Sequence, residues 1–331
     1  IYATFKFFLY TLFGSLLFLI ALIYLYLQFG DFNMLNWQSS SNLLELYEQK
    51  WLFIAMFIAF AIKVPMVGVH TWLPDAHVQA PTAGSVILAG VLLKLGTYAM
   101  LRFSLPMLPD ASTYFATFIM ALSVIAIIYA SMLAYYQKDI KKVIAYSSIA
   151  HMGFITLGIF ALDFTALQGA VMQMVNHGIV SAGLFFAIGV IYSRLNTRNI
   201  DNLGAIANTM PRYAFVFMIL TLASVGLPST ANFIGEITIL MGSFASAKVL
   251  TSIAILGVLL GACYMLKLYK DMFFDKAKVE NKAIASLQDL TCKEILVFAP
   301  LLILIFVLGL KPNLMFDLTA SASYSILELV K

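Results

Sequence analysis

The sequence predicts an all-α, polytopic membrane bundle with about nine spans in this chain, and three observations carry that prediction. The 331 residues are 62% hydrophobic and only 11% charged, whereas an average soluble domain is roughly a quarter charged. Mean hydropathy is +0.94. The apolar residues run in long unbroken stretches, not in the alternating segments of about ten that an outer-membrane barrel needs. A soluble enzyme would lack polar surface at this composition, and disorder is excluded by the apolar content. In hydrocarbon the backbone must satisfy its own hydrogen bonds, so the spans are helices.

The apolar runs fall at 5–27, 51–69, 82–101, 114–134, 142–160, 166–192, 212–246, 250–274 and 294–310. Crossing a bilayer takes about 20 residues. The seventh run, as one straight helix, would be about 52 Å long against a hydrocarbon core of about 30 Å. It contains Gly226, Pro228, Asn232 and Gly235, and is predicted to break at Gly226–Asn232. In the second run, Pro65 follows Lys63 by two residues and disturbs the helix there. The longest polar stretches, 28–50 and 275–293, are too short for an independent domain.

Lys and Arg in the connections set the orientation. Of the 20 basic residues, thirteen fall on the side of Ile1 and the 275–293 loop, five on the other, and two inside spans. The basic side is expected to face the cytoplasm or matrix, with the C-terminal tail opposite. Cys263 and Cys292 have no CxxC or metal-ligand spacing, so the sequence predicts no iron–sulfur, haem or zinc site and no cofactor in this chain. The chain begins at Ile1 and its first apolar run starts almost at once, which suggests upstream sequence.

Five ionisable residues remain inside the runs: Lys63, Lys94, His151, His177 and Glu236. Intramembrane charge costs a few kcal/mol or more, so each is a functional candidate. Lys94, His151 and His177 each lie within about two residues of a span centre, or about 3 Å. Such a row across the membrane plane suits a proton path, which needs titratable groups near one another at depth. Structural roles compete: Lys63 and Lys94 can snorkel, the histidines can be neutral and hydrogen-bonded, and Glu236 can cap a broken helix. Lys63 has no carboxylate on a neighbouring span of this sequence, so its partner is a loop acid or lies upstream. His70, Asp75 and His77, in HTWLPDAH (70–77), form a turn and helix cap or a cytoplasmic proton-uptake point.

The stretches KVPMVGVHTWLPDAHVQAPTAGSVILAGVLLKLGTY (63–98), KKVIAYSSIAHMGF (141–154), QMVNHGIVSAGLFFAIGVIYSR (173–194) and LPSTANFIGE (227–236) closely resemble the antiporter-like membrane subunits of respiratory complex I, the proton-pumping NADH:quinone oxidoreductase. Within that family the chain is most similar to the M type, equivalent to mitochondrial chain 4. The resemblance implies fourteen helices in two inverted repeats, of which this chain holds the sixth to fourteenth. Residues 1–109 would be the rest of the first repeat, 110–274 the second, and 275–331 a cytoplasmic loop, last span and outer tail. It implies proton-translocating roles for Lys63, Lys94, His177 and Glu236, a less certain one for His151, and helix breaks at Pro65 and Pro228. It also supplies a glutamate partner for Lys63 on a helix this chain lacks, so the chain as given is expected not to translocate protons.

The implied partners are other membrane subunits of complex I, especially the sister L and N subunits, and the resemblance implies no redox active site in this chain itself. Flavin, iron–sulfur clusters and quinone would sit elsewhere in the complex, and the location would be the bacterial inner membrane or the mitochondrial one. Glu236 favours the M type over L and N, which generally carry lysine at that position. The D subunit of multisubunit Na⁺(K⁺)/H⁺ antiporters is the alternative, and a bracing subunit without transport is a third.

Overall fold

A computed structural model describes residues 1–40, 43–277 and 282–330. Lys278 and Lys331, both among the basic residues of the orientation count, lie outside the described residues. The described chain is helical throughout, with a single isolated bridge between Asp139 and Asn199. Its helices are α1 (Tyr2–Phe29), α2 (Met34–Ser39), α3 (Leu46–Lys63), α4 (Trp72–Gln79), α5 (Thr82–Met107), α6 (Pro109–Tyr136) and α7 (Ile140–Phe160). They continue with α8 (Phe164–Leu195), α9 (Pro211–Val225), α10 (Ala231–Ser246), α11 (Lys248–Phe273), α12 (Cys292–Leu310) and α13 (Asn313–Val330).

Seven of the described helices are long and apolar enough to cross a membrane: α1, α5, α6, α7, α8, α11 and α12. The two remaining apolar runs are the ones interrupted by proline. In the first, α3 stops at Lys63 and the chain turns through Val64–Thr71 into the short α4. The Trp72 indole N–H donates to the Ile62 carbonyl at 2.9 Å, which satisfies one of the acceptors freed at the helix end. In the second, α9 ends on Gly226, whose φ of 81° is a left-handed cap that a side chain would strain. Pro228 follows, and α10 restarts after Thr230.

Packing is organised around α7 and α8. The apolar window of α7 is 94% buried, against 17% for α1, so α7 is an interior helix surrounded by protein. It packs on α6 and α8, and α8 packs in turn on α5, α9, α10, α12 and α13. The α8–α10 crossing is close because Gly235 faces Gln173: a Cβ there would lie 2.9 Å from the Gln173 Cβ. Near the basic side, Asp289 caps α9 from outside, accepting from the backbone N–H groups of Arg212 (2.8 Å) and Tyr213 (3.1 Å). Arg194 of α8 grips Glu294 of α12 with two bonds of 2.9 and 2.8 Å. These contacts tie the ends of the long loop to the bundle.

The C-terminal tail, expected only as an extension after the last span, is itself the helix α13. It packs across α6, α8 and the end of α5. Tyr324 stacks on Phe164 with ring centroids 4.0 Å apart, and the Gln168 side chain donates to the Phe316 carbonyl. Alternating polar and apolar residues make this helix too polar for a span, and one of its faces settles on the bundle.

Candidate functional site

Lys94 lies on α5 between two π-helical turns, Leu88–Leu92 and Met100–Ser104. A π turn shifts the backbone acceptor from the fourth to the fifth preceding residue and so redirects carbonyls. The Lys94 ammonium donates to the Ala89 carbonyl inside this altered stretch. Its second partner is on α8: Lys94 Nζ lies 2.7 Å from His177 Nδ1. The His177 ring is tilted against that of His151 on α7, with centroids 5.4 Å apart. His151 Nδ1 lies 2.7 Å from Glu236 Oε1 on α10. Four of the five intramembrane ionisable groups thus form one line across α5, α8, α7 and α10.

The line is dry of bulk solvent. Lys94 is 8% exposed, His151 6%, Glu236 4% and His177 2%. Such groups persist in a low-dielectric interior only when they are paired or functional. The helix break helps position Glu236: its Oε2 lies 3.6 Å from where a Cβ on Gly226 would be, so the carboxyl sits against the turn between α9 and α10. The two histidines are near enough to exclude one another's charge. At an effective dielectric of about 20, two unit charges 5.4 Å apart repel by about 3 kcal/mol.

Three polar residues complete the site. The Gln173 amide donates to Glu236 Oε1 at 3.0 Å, so that oxygen serves both Gln173 and His151. Ser224 Oγ lies 3.4 Å from His151 Nε2. Asn176 on α8 donates to the Ala231 carbonyl at 2.6 Å and holds the start of α10. A search confined to ionisable residues misses all three. The signal was present, however: Gln173 lies four residues before His177 and therefore on the same face of the helix.

The fifth ionisable group is elsewhere. Lys63 is the last residue of α3, where the half-helix dipole favours a cation. Among the described residues it makes no ion pair, with a loop acid or otherwise, and its Cβ packs beside Gly96 of α5. The acid of the 70–77 segment, Asp75, is taken by Lys6 of α1 at 2.8 Å. His70 packs against the Tyr129 ring, and burial followed by the nearby Lys6 charge lowers its pKa. His77 is fully buried and stacks on Phe185 at 4.3 Å, with neither ring nitrogen hydrogen-bonded among the described residues. Burial first, then the charges of Lys141 and Lys94, push its pKa down to about 3. His77 is therefore neutral at physiological pH. Among the described residues no group of His, Cys, Asp or Glu converges in a metal-binding arrangement.

Residues 1–263 match the family model described as NADH:quinone oxidoreductase/Mrp antiporter, TM. The chain belongs to this family of membrane subunits. It is 54% identical over 313 residues to NADH-quinone oxidoreductase subunit M of Rickettsia prowazekii, covering 95% of this chain and 63% of that one. It is 46% identical over 317 residues to NADH-ubiquinone oxidoreductase chain 4 of Marchantia polymorpha, again 95% of this chain and 63% of the relative. Its fold matches a chain of respiratory complex I from Thermus thermophilus with a TM-score of 0.91 and 28% identity, covering 99% of this chain and 69% of the other. The chain spans somewhat under two thirds of the length of these curated relatives. As a member of this family it is a multi-pass, all-α membrane protein.

Proposed function

We propose that the chain is part of a proton-translocating subunit in the membrane arm of an NADH:quinone oxidoreductase. The observation that carries this reading is the buried line Lys94–His177–His151–Glu236, in which both outer pairs lie 2.7 Å apart. The relatives named as subunit M and chain 4 support the assignment to this complex. In this reading redox chemistry belongs to other subunits of the complex, where NADH, flavin, iron–sulfur clusters and quinone would bind. Its partners are the neighbouring antiporter-like L and N subunits. The location is the bacterial inner membrane, with the basic side facing the cytoplasm.

In the mechanism, protons reach Lys63 and Lys94 from the cytoplasmic side near His70, Asp75 and His77. Lys94 and His177 exchange a proton across their short contact, and His151 and Glu236 do the same across theirs. Glu236 then releases the proton toward the outer side. The repulsion of about 3 kcal/mol between the two imidazoles corresponds to a factor of about 150 in proton affinity. A proton arriving on one histidine thereby drives release from the other. The broken helices α3/α4 and α9/α10 are consistent with two inverted repeats, over 1–109 and 110–274, each supplying one half-helix end near the path.

The test uses the full-length subunit, assembled in native membrane vesicles without added sodium. NADH-driven acidification is expected in wild type and is expected to fall in Lys94→Ala and Glu236→Gln. Wild-type pumping in both variants would refute the path. An absence of any NADH-driven gradient, with sodium- or potassium-dependent proton exchange in its place, would assign the chain to the antiporter branch of the family.

A further inference from the structure

We propose a second proton inlet on the basic side of the bundle, closed by Tyr264, that feeds His151 and Glu236 without passing Lys63 or Lys94. It rests on the proton-translocating reading above and adds a route to it. A cavity of about 230 Å³ opens where the end of α6, the 200–201 turn and the last turns of α11 meet. Its wall is polar. Lys138 pairs with Asp201 at 3.3 Å, and Lys267 lies 3.9 Å above the Tyr135 ring. Asp271 also lines it and makes no ion pair among the described residues. Charged walls keep such a cavity wet.

Tyr264 lines the same cavity, yet it is only 2% exposed, so its ring closes the inner end. The hydroxyl lies back along α11 toward Gly261, 3.9 Å from where a Cβ there would be, and therefore points deeper into the bundle. Ser147 of α7, whose hydroxyl donates to the Ile144 carbonyl at 2.8 Å, is the nearest side-chain hydroxyl with which Tyr264 interacts, and Glu236 lies beyond it. Ser147 precedes His151 by four residues, one turn along the same helix face, or about 6 Å. That gap is long for a direct transfer and right for one bridging water.

Two further hydroxyls lie one turn toward the basic side from the site's own residues. Ser148 precedes His151 by three residues, and Thr221 precedes Ser224 by three. Both hydroxyl oxygens are buried and have no hydrogen-bond partner among the described residues. Buried polar atoms without protein partners are where ordered water sits. The route runs from cavity water to Tyr264, to Ser147, through bridging water, and then to His151 and Glu236. Each hydroxyl accepts a proton on the cavity side and donates one on the bundle side, and for Ser147 this requires its hydroxyl to turn from the Ile144 carbonyl, to which it donates at 2.8 Å, toward the bridging water. No bond is lost overall, and bulk water restores the proton given up.

The inlet is tested in the full-length subunit within the assembled complex, using vesicles with the cytoplasmic face outward. Tyr264→Phe removes only the hydroxyl and keeps the ring packing. The ratio of protons pumped to NADH oxidised is expected to fall in Tyr264→Phe and in Ser147→Ala, with the double variant no lower than either single one. A wild-type ratio in both single variants overturns the inlet. Lys94→Ala is measured beside them. If it lowers the ratio while Tyr264→Phe does not, only the inlet fails; if it too is wild type, the proton-translocating reading fails first. A second measurement is independent of turnover. With Cys263 and Cys292 replaced by serine, Ser147→Cys is expected to react with aminoethyl methanethiosulfonate at least tenfold faster when Tyr264 is also changed to alanine. Equal rates with and without the tyrosine ring overturn the gate.

Discussion

His77 offers a perturbation whose magnitude follows from the structure. The folded chain holds this imidazole neutral, with its pKa near 3, because it is buried against Phe185 without a hydrogen bond to either nitrogen. In the unfolded chain a histidine takes its proton near pH 6.5. Above about 6.5 neither state binds that proton, and stability is independent of the group. Below it the unfolded state binds more protons, so stability falls as pH falls, by up to about 1.4 kcal/mol per unit, until pH nears 3. Between pH 6.5 and 5.0 the loss is about 2 kcal/mol. His77→Phe removes the titration and two buried, unpaired ring nitrogens, each costing roughly 1–3 kcal/mol. Heating the detergent-solubilised full-length subunit and following its loss of folded protein measures both effects. The wild type is expected to lose stability from pH 7.5 to 5.0, and His77→Phe is expected to lose about 2 kcal/mol less. An acid sensitivity unchanged by the substitution would refute the neutral, unpaired state of His77.

Three other outcomes follow from the same contacts. Gln173→Leu strips one of the two hydrogen bonds from Glu236 Oε1, a charge-assisted contact worth roughly 1.5–3 kcal/mol, and NADH-driven pumping is expected to fall with the subunit still assembled; an unchanged proton-to-NADH ratio removes Gln173 from the site. Asp289→Ala removes the cap of α9 and is expected to lower stability by about 1–2 kcal/mol, read by the same heating assay. Gly235→Ala places a methyl against Gln173 and is expected to cost about 1–3 kcal/mol and to reduce pumping, because Gln173 must move away from Glu236; pumping and melting like the wild type would show that the α8–α10 crossing has room to spare.

The fold class was legible because hydropathy over some twenty residues is a strong signal, and the break at Gly226 because a run of about 35 residues cannot stay straight in a bilayer. The depth of Lys94, His151, His177 and Glu236 could be counted along each helix. Their partners could not, because contact depends on how each helix is rotated and how closely it crosses its neighbour. Gly235 decides the second of these, and only the fold shows what it faces. The π turns around Lys94 have no marker in LAGVLLK, yet they set which carbonyl the ammonium meets. Lys63 has similar depth to the others, but it ends α3 and its side chain packs beside Gly96 of α5 without an ion pair among the described residues. The helix α13 was missed because its polar residues dilute the hydropathy on which the span reading relied.

The weakest contact in the line also dictates how the line works. Lys94–His177 and His151–Glu236 are each within hydrogen-bond distance, at 2.7 Å, whereas the two histidines meet only ring against ring with centroids 5.4 Å apart. The site is therefore two couples joined by one electrostatic contact, not a single wire. Under the proposed function, a proton moves along a short bond within a couple, and between couples it needs a water or a ring rotation, against or with a repulsion of about 3 kcal/mol. An event that widens the ring-to-ring contact relaxes that repulsion and lets both couples load at once. One that narrows it expels a proton from the couple nearer an outlet. In that reading, control rests on the relative position of α7 and α8, the interior helix and the one packed on most of its neighbours.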